Sequence, residues 1–403
     1  MNYKKQELAL KYMKEGKNLF ITGPAGAGKT YIINKFRNTI KCNVTSTTGI
    51  SAILINGKTL HSWAGIGLGK GDLLKKVLGN KRAKSRWIKT KILIIDEISM
   101  LNPDLFDKLE KIARTIRKSD KPFGGIQLIL SGDFCQLPVV KCEKFCFESK
   151  NWEKCVDKTI YLDKIIRQQD PIFIKMLEEL RLGIHSDISN ELLLSRMIEY
   201  PDIDILPTKL YSTNKSVDIV NKTELLKLNN EIYTFTPKIE VIKKNYNPEF
   251  MIKFLIKGIE NLKLCIGCQV MLSANIDVEN KLSNGSRGII IGFDEKNLPI
   301  VKFKCGINVS IEYYKTEYKD DDFNIIIHRI PLKLAWAITI HKSQGSTLDC
   351  VQTNLNSENI FEFGQAYTAL SRVRDLNNLY LDDIDIESFK CNPKVSCFYN
   401  TLI

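Results

Sequence analysis

The sequence GPAGAGKT, at Gly23–Thr30, decides the fold. The apolar run NLFIT (18–22) precedes it, and YIINKFRNTI (31–40) follows with the spacing of a helix. G-x-x-x-x-G-K-[ST] between a strand and a helix is the P-loop, in which backbone N–H groups and the helix N-terminus surround phosphates. We expect Lys29 to hold the β- and γ-phosphates of ATP and the Thr30 hydroxyl to bind Mg²⁺.

Apolar runs alternate with helical patterns on both sides of this loop. KILII (91–95) and IQLIL (126–130) are continuous rather than alternating, which is typical of parallel strands buried on both faces. Between them FDKLEKIARTIRK (106–118) places apolar residues at helical spacing. The pattern predicts an α/β, doubly wound domain.

Two acidic residues and a glutamine follow these buried strands. Asp96 and Glu97 end the run at 91–95, where carboxylates are rare unless a cation or partner is present. We expect Asp96 to bind Mg²⁺ and Glu97 to act as a general base on water, which indicates hydrolysis. Gln136 follows the next strand, where a glutamine can contact the γ-phosphate or its water.

The second half of the chain predicts another α/β unit, beginning near residue 166. Its strands are KLYS (209–212), LAWAITI (334–340) and LYL (379–381). Residues 284–332 differ, because short alternating runs with turn signals predict a small antiparallel barrel inserted into this unit. Residues 61–90 are basic and rich in glycine, and we interpret them as an excursion from the first domain.

Composition excludes several classes of protein. With 44% hydrophobic and 26% charged residues among 403, disorder is excluded as the main state. No apolar run approaches the ~20 residues of a membrane span, and the N-terminus lacks the apolar core of a secretory signal. We expect an intracellular protein, in the cytoplasm or the nucleus, without membrane contact. The net charge of +13 suits a polyanionic partner, although a solvated lysine-rich surface would also produce it.

The cysteines and histidines predict no further metal. The single C-x-x-C, Cys265 and Cys268, lacks the second pair that a zinc site needs, so two half-buried thiols are expected. The odd total of 11 cysteines without a secretory signal indicates free thiols in a reducing compartment. His185 and His328 are expected to be structural or exposed.

Further motifs follow in a fixed order along the chain. They are TTGISA (47–52), LHSWAGIG (60–67), DEISM (96–100), GDFCQLP (132–138), LYSTN (210–214), GCQVML (267–272), NGSRG (284–288), LAWAITIHKSQGSTLDCV (334–351) and QAYTALSRVR (365–374). Together with the P-loop they resemble PIF-type helicases, RecD-like enzymes of helicase superfamily one that translocate 5′ to 3′ on DNA. DKLEKIARTIRKSDKPFGGI (107–126) is similar to the signature that separates PIF-type proteins from other RecD-like ones.

The resemblance covers nearly the whole chain and implies its architecture. The fold class would be α/β, with two RecA-like P-loop domains, a small wedge insertion and an inserted SH3-like β-barrel. The first RecA-like domain would comprise residues 1–60 and 91–165, with the wedge at 61–90. The second would comprise residues 166–283 and 333–403, with the barrel at 284–332. The two domains would form a cleft that holds ATP and Mg²⁺.

The resemblance also assigns the nucleotide site. Its catalytic residues would be Lys29, Glu97, Gln136, Arg167 and Arg372, the two arginines reaching the γ-phosphate from the second domain. Its nucleotide-binding residues would be Gln6, Gly23, Pro24, Ala25, Gly26, Ala27, Gly28, Lys29, Thr30, Tyr31, Gln344 and Gly345. Its metal ligands would be Thr30 and Asp96. Gln6 would read adenine, with an exposed helix residue as the alternative, and surface ion pairs are the alternative for Arg167 and Arg372. Val139 departs from the family, which usually has a second proline there.

Six residues match the family's track along single-stranded DNA: Thr48, His61, Asn214, Thr339, His341 and Lys342. Small hydroxyl and amide groups beside phosphates suit binding that ignores base order. Trp63 and Phe134 could stack on bases, but either could equally belong to the core, so neither is assigned. The basic segment Lys70–Lys91 would be the wedge at the duplex fork, with a solvated loop as the alternative.

The resemblance implies an ATP-dependent 5′-to-3′ DNA helicase that acts in replication, repair or recombination. Its partners would be single-stranded DNA and forked or tailed duplexes, and we expect a monomer. An RNA-directed translocase of the same superfamily remains an alternative, because the sequence does not reveal how the sugar is read. A nucleic-acid-binding scaffold with weak ATPase activity is a second alternative, although intact Lys29, Asp96, Glu97 and Arg372 disfavour it. A P-loop phosphotransferase would not need the motifs at 334–374.

Overall fold

The computed structural model describes residues 4–67, 69–200, 205–244, 261–277, 279, 280, 282, 284–319 and 323–402. Contacts divide these residues into two compact units. The first lies within Met1–Met197, Ile340–Gly345 and Asn354–Ile403, and the second within Ile198–Thr339 and Ser346–Thr353. Throughout the described ranges, no helix combines the length and the apolar character that a membrane span requires.

Helices and strands alternate through most of the chain. The helices are α1 (Lys4–Lys14), α2 (Lys29–Arg37), α3 (Gly49–Leu54), α4 (Leu60–Ala64), α5 (Leu73–Gly79), α6 (Lys81–Lys89), α7 (Pro103–Arg117), α8 (Trp152–Cys155), α9 (Pro171–Arg181), α10 (Asp187–Leu194), α11 (Asn214–Lys227), α12 (Ile340–Ser343), α13 (Gln365–Leu370) and α14 (Pro393–Asn400). The strands of the first sheet are β1 (Leu19–Thr22), β2 (Asn43–Ser46), β3 (Lys58–Thr59), β4 (Ile92–Asp96), β5 (Gln127–Ser131) and β6 (Lys158–Tyr161). The later strands are β7 (Thr208–Tyr211), β8 (Tyr233–Phe235), β9 (Lys238–Lys244), β10 (Leu262–Leu264), β11 (Gln269–Leu272), β12 (Arg287–Phe293), β13 (Pro299–Phe303), β14 (Asn308–Ser310), β15 (Tyr314–Lys319), β16 (Phe323–Arg329), β17 (Leu332–Leu334), β18 (Ala337–Thr339), β19 (Val351–Leu355) and β20 (Leu379–Ile384).

A six-stranded parallel sheet organises the first unit. Its order is β3-β2-β4-β5-β1-β6, which confirms the strands predicted at 18–22, 91–95 and 126–130. Successive residues of each strand point to opposite faces of the sheet and pack into two separate hydrophobic cores. Ile94 and Ile129 pack with α1 and α2 on one face, whereas Leu93 and Leu128 pack with α7 on the other. Burial on both faces explains why these strands are apolar without alternation.

The predicted excursion at 61–90 is helical and belongs to the first unit. Its helices α4, α5 and α6 bury Trp63 and Trp87, whose ring centroids lie 4.6 Å apart. The Trp87 indole donates a hydrogen bond to the Ala64 carbonyl oxygen at 3.0 Å. These helices share a core with Phe106 of α7. The solvated loop that was the alternative for Lys70–Lys91 is therefore wrong, because α5 and α6 occupy most of this segment and bury Val77, Ala83 and Trp87.

The second unit contains parallel and antiparallel sheets. Strand β7 lies between β18 and β19 and is parallel to both. The antiparallel sheets have the orders β14-β13-β12-β11-β17, β15-β16-β9 and β10-β8. The strands predicted within 284–332 are antiparallel as expected, but they divide between two sheets that recruit β11, β17 and β9 from outside. Alternation identifies a strand and its buried face, and it does not identify the neighbouring strand.

One prediction about this half of the chain needs correction. LAWAITI (334–340) is not one strand, because β17 ends at Leu334, β18 covers Ala337–Thr339, and α12 begins at Ile340. An apolar run that is buried throughout carries no alternation to mark such breaks. Contacts also group residues 166–197 and 354–403 with the first unit. The domain boundaries drawn from the sequence therefore differ from the contact-based units and stay a prediction.

Candidate active site

The P-loop connects β1 to α2 in a path that requires glycine. Gly23 has a φ of +140°, and a β-carbon there would lie 2.2 Å from the Leu162 carbonyl oxygen. Gly26 has a φ of +82°, and a β-carbon would lie 2.6 Å from the Arg167 β-carbon. Both positions combine a left-handed backbone with a close neighbour, which only glycine accepts. The sequence pattern therefore fixes the shape of the phosphate loop.

The side chain of Lys29, at the start of α2, turns back so that its ammonium group lies within the P-loop. Its Nζ donates hydrogen bonds to the carbonyl oxygens of Gly23 at 2.6 Å and Pro24 at 3.0 Å. Burial lowers the pKa of Lys29, and the carboxylates of Asp133 and Glu97 oppose this effect. Thr30 is exposed at the start of α2, and Tyr31 is 60% exposed. The ammonium and these two side chains thus sit where the motif predicts nucleotide contacts.

Gln6 lies on α1 and is only 5% exposed. The alternative interpretation, that Gln6 is an exposed helix residue, is therefore wrong. A buried amide that can donate and accept is compatible with contact to a base edge. Adenine reading by Gln6 stays a prediction.

The two acidic residues at the end of β4 share one environment, and the backbone of the second is strained. Glu97 has a φ of +54°, a left-handed conformation that costs free energy for a residue with a β-carbon and is often found at functional sites. Burial and the neighbouring Asp96 raise the pKa of Glu97 to about 7. Burial also raises the pKa of Asp96. Two carboxylates that disfavour their charged forms need a cation, and one of them can accept a proton near neutral pH.

Glu97 has a partner from a distant part of the sequence within the first unit. The Gln344 side-chain amide donates a hydrogen bond to Glu97 Oε2 at 3.0 Å. Gln344 is 5% exposed and directly follows α12, and Gly345 comes next with a φ of +79°. The contact fixes one carboxylate oxygen of Glu97. It also joins Glu97, the predicted general base, to the motif at 334–351.

Gln136 and Arg372 form a second long-range pair in the same unit. Arg372 is 1% exposed, and its Nη2 lies 3.4 Å from Gln136 Oε1. Its Nε donates to the Thr368 carbonyl oxygen at 2.8 Å, and its Nη2 to Ser371 Oγ at 2.6 Å. Burial lowers the pKa of Arg372, which Glu97 opposes. The surface ion pair that was the alternative for Arg372 is therefore wrong.

Arg167 adds a third cation beside the P-loop. Its Nη1 donates to the Ser371 carbonyl oxygen at 2.7 Å, and its backbone N–H donates to the Gly26 carbonyl oxygen at 3.3 Å. Burial and the neighbouring Arg372 lower the pKa of Arg167 to about 9. The Arg372 guanidinium thus disfavours the charged form of Arg167. A triphosphate would relieve this repulsion, so the cations fit the predicted substrate.

The donor set also fits a magnesium ion. Thr30 supplies an exposed hydroxyl and Asp96 a buried carboxylate, and oxygen ligands of this kind suit Mg²⁺. The raised pKa of Asp96 indicates that its charge lacks full compensation from the protein. A divalent cation beside Asp96 would supply that compensation. Thr30 and Asp96 as metal ligands remain a prediction.

The six residues predicted to contact DNA are divided between the units. Thr48, His61, His341 and Lys342 belong to the first unit, and Asn214 and Thr339 belong to the second. Thr48 Oγ1 accepts the Ser51 N–H at 3.2 Å at the start of α3. Burial lowers the pKa values of His61 and His341, so both imidazoles favour the neutral form.

The other predicted DNA contacts differ in exposure. Asn214 is exposed at the start of α11 and Lys342 is exposed in α12, whereas Thr339 is 3% exposed at the end of β18. Trp63 and Phe134, which were left unassigned, are each 2% exposed and belong to the core. The predicted DNA contacts therefore stay predictions, and neither aromatic ring is open to a base.

The C-x-x-C pair consists of two buried free thiols. Cys265 Sγ and Cys268 Sγ lie 3.5 Å apart, and burial raises the pKa of Cys268 to about 12. Within the described ranges, no group of three His, Cys, Asp or Glu side chains could hold a metal ion. His185 is exposed, and His328 Nε2 lies 3.4 Å from Glu240 Oε1.

Sequence reasoning missed four residues that lie near the P-loop or the glutamine motif: Asp133, Arg181, Tyr367 and Tyr399. The Tyr367 hydroxyl accepts the Ala25 N–H at 2.9 Å. The Tyr399 hydroxyl lies 2.6 Å from Thr22 Oγ1, at the end of β1. Arg181 binds Asp133 near the glutamine motif. Tyr367 and Asp133 lie inside quoted motifs and could have been found, but no local signal marks Arg181 or Tyr399.

Comparisons with known proteins identify the family to which the chain is similar. The family profile described as PIF1-like helicase matches residues 4–191, and the profile described as DNA helicase Pif1, 2B domain, matches residues 253–293. The chain is 40% identical over 413 residues to ATP-dependent DNA helicase PIF1 of Xenopus laevis. That alignment covers 98% of the chain and 64% of the Xenopus protein, so the chain spans less than two thirds of this relative's length.

Solved structures give the same result over the whole chain. A crystal structure of Pif1 helicase from Candida albicans superposes with a TM-score of 0.82 at 35% identity, covering 100% of both chains. Pif1 helicase from Bacteroides in complex with ADP-AlF3 and ssDNA superposes with a TM-score of 0.70 at 27% identity, covering 100% of this chain and 96% of that one. The predicted fold class is confirmed: α/β, with two RecA-like P-loop domains, a wedge insertion and an SH3-like insertion. The chain covers in full a Pif1 helicase to which it is 35% identical, and it carries the P-loop, the acidic pair and the arginine motif in the order of the family. The chain therefore belongs to the PIF1-like helicase family.

Proposed function

We propose that the protein is an ATP-dependent DNA helicase that moves 5′ to 3′ along single-stranded DNA. It would unwind duplexes during DNA replication, repair or recombination, in the cytoplasm or nucleus. The observation that carries this proposal is the hydrogen bond between Gln344 and Glu97 at 3.0 Å. It links the candidate base for ATP hydrolysis to a residue two positions from Lys342, a predicted DNA contact.

The residues around the P-loop suit hydrolysis rather than nucleotide binding alone. Lys29 would bind the phosphates, and Glu97, whose pKa is raised to about 7, would take a proton from the attacking water. Arg372 and Arg167 would stabilise the charge that develops on the transferred phosphoryl group. Thr30 and Asp96 would hold Mg²⁺, which neutralises phosphate charge when bound. Gln136, 3.4 Å from Arg372, would report the state of the γ-phosphate.

A short connection would couple hydrolysis to movement on DNA. His341 and Lys342 lie in α12, and Gln344 follows immediately. A change at Glu97 during hydrolysis would therefore act on the segment that carries two predicted DNA contacts. Repetition of this change would give directional movement if the grip on DNA differs between nucleotide states. The arrangement supports a translocating enzyme rather than a passive scaffold.

The proposed partners are single-stranded DNA and forked or tailed duplexes. A net charge of +13 favours a polyanion, and the Bacteroides relative was solved with ssDNA. We infer a monomer as the working form. An RNA-directed translocase remains the second candidate, because no described contact of the predicted track distinguishes ribose from deoxyribose. The scaffold with weak ATPase activity is disfavoured by the assembled Lys29, Glu97 and Arg372.

The proposed nucleic-acid partner can be tested by steady-state ATP hydrolysis. The rate is measured with single-stranded DNA, with single-stranded RNA and without nucleic acid. We expect DNA to stimulate hydrolysis strongly and independently of base order, because the predicted contacts are to the backbone. The apparent DNA affinity should fall with salt, with a log–log slope of about −0.7 for each phosphate contact. Greater stimulation by RNA would favour the RNA translocase. Absence of stimulation by either polymer would favour the scaffold.

A further inference from the structure

Asp133 is a buried carboxylate to which the proposed chemistry gives no role. It is 0% exposed and lies three residues before Gln136. Arg181 donates to both of its oxygens, from Nη2 to Oδ1 at 2.8 Å and from Nε to Oδ2 at 3.1 Å. Burial alone would raise the pKa of Asp133, but the charge and hydrogen bonds of Arg181 outweigh this effect and lower it. A buried ion pair adds little net stability compared with apolar packing, so its presence suggests a further role.

Tyr399 connects this carboxylate to the P-loop strand. Its hydroxyl donates to Asp133 Oδ1 at 3.1 Å and accepts the Phe134 N–H at 3.0 Å. It also lies 2.6 Å from Thr22 Oγ1, where the threonine hydroxyl acts as donor because the tyrosine proton is already used. One donor and two acceptor contacts use the full hydrogen-bonding capacity of a phenol. A single oxygen therefore joins the ends of β1 and β5.

Asp133 in turn contacts the side chain of Gln136. Gln136 Nε2 lies 3.4 Å from Asp133 Oδ2, and the Gln136 backbone N–H donates to the Asp133 carbonyl oxygen at 3.0 Å. With its NH₂ group facing the carboxylate, the amide turns Oε1 towards Arg372 Nη2. A continuous chain of contacts thus runs from Tyr399 through Asp133 and Gln136 to Arg372.

We propose that Tyr399 and Asp133 are positioning residues for ATP hydrolysis, which act by fixing the Gln136 amide and the separation of its loop from the P-loop strand. The proposal rests on the proposed function, because it concerns the same site. Neither residue needs to touch the nucleotide. Arg181 keeps Asp133 charged, and the Tyr399 hydroxyl keeps it in place.

Tyr399→Phe tests this chain because it removes one oxygen and keeps the ring that stacks on Arg181. We expect kcat for DNA-stimulated ATP hydrolysis to fall by about 10- to 100-fold, the size associated with misplacement of a reacting group. The KM for ATP and the dissociation constant of ADP with Mg²⁺ should change less than about twofold, because the phosphate loop remains. The matched control is Tyr161→Phe, which removes a 3.2 Å bond to Arg181 and leaves Asp133 bonded. It should keep kcat near that of the wild type.

A double-mutant cycle with Gln136→Ala separates positioning from general loosening of the fold. If Tyr399 acts through Gln136, the double variant should have a kcat no lower than Gln136→Ala alone. The proposal would be overturned if the kcat loss of the double variant equalled the product of the two single-variant losses. It would also be overturned if Tyr399→Phe kept the wild-type kcat. A kcat loss matched by an equal loss of ADP-binding sites would also overturn it, because it would reflect unfolded protein. If DNA does not stimulate ATP hydrolysis by the wild-type protein, the proposed function itself is contradicted, whatever the variants show.

Discussion

Replacing Arg372 with alanine is expected to lower kcat for DNA-stimulated ATP hydrolysis by ~10³-fold. The guanidinium is buried, and its Nη2 lies 3.4 Å from Gln136 Oε1, so its charge acts where little water screens it. Its effect should be largest in the transition state, where charge develops on the phosphoryl group. ATP binding should fall much less, because Lys29 and the P-loop are retained. Steady-state kinetics with and without single-stranded DNA measure both quantities.

Two further variants sharpen this prediction. Arg372→Lys should restore little activity, since an ammonium lacks the planar fork that bonds Thr368, Ser371 and Gln136 together. Arg374→Ala is the matched control, because Arg374 is exposed two residues later, and it should retain nearly full activity. An Arg372→Ala enzyme that keeps both its basal rate and its stimulation by DNA would remove Arg372 from the site.

Glu97→Gln should bind ATP and hydrolyse it about 10²- to 10⁴-fold more slowly than the wild type. The amide preserves the size of the side chain and its proximity to Gln344, but it cannot take a proton from water. A fluorescent ATP analogue should bind with unchanged or greater affinity, because one buried negative charge near the phosphates is lost. Hydrolysis at nearly the wild-type rate would show that another group is the base.

The pH dependence of kcat gives an independent control for this assignment. Only the deprotonated carboxylate is a base, and the pKa of Glu97 is raised to about 7. The wild-type rate should therefore rise as pH increases from 6 to 8, while Glu97→Gln should lose this rise. A rise that persists unchanged in the variant would assign the titration to another group.

The sequence predicts the elements that follow one simple periodicity. Strands β1, β4 and β5 were recognisable because parallel strands buried on both faces are continuously apolar. The excursion at 61–90 was located, but its helices were not, because Trp63 and Trp87 are widely spaced apolar residues in a basic segment. Sheet partners in the second unit could not be predicted, since β9 pairs with β16 across about eighty residues without any local signal.

The candidate site shows the same limit. Motif context indicated Lys29, Glu97 and Gln136 individually, and a family resemblance was needed to add Arg372 and to put all four in one site. Tertiary contact alone reveals that Gln344 bonds Glu97 and that Tyr399 bonds Asp133. The left-handed backbone at Glu97 was also unpredictable, because such strain occurs where surrounding contacts impose it against local preference.

Strand displacement from tailed duplexes tests the central claim most directly. Duplexes with a 5′ single-stranded tail, a 3′ tail or no tail would be incubated with ATP and the wild-type protein, with Lys29→Ala as the inactive control. We predict ATP-dependent displacement from the 5′-tailed duplex only, because the protein would load on the tail and move 5′ to 3′ towards the junction. Displacement from the 3′-tailed duplex alone, or DNA-stimulated ATP hydrolysis without displacement from any duplex, would contradict a 5′-to-3′ DNA helicase.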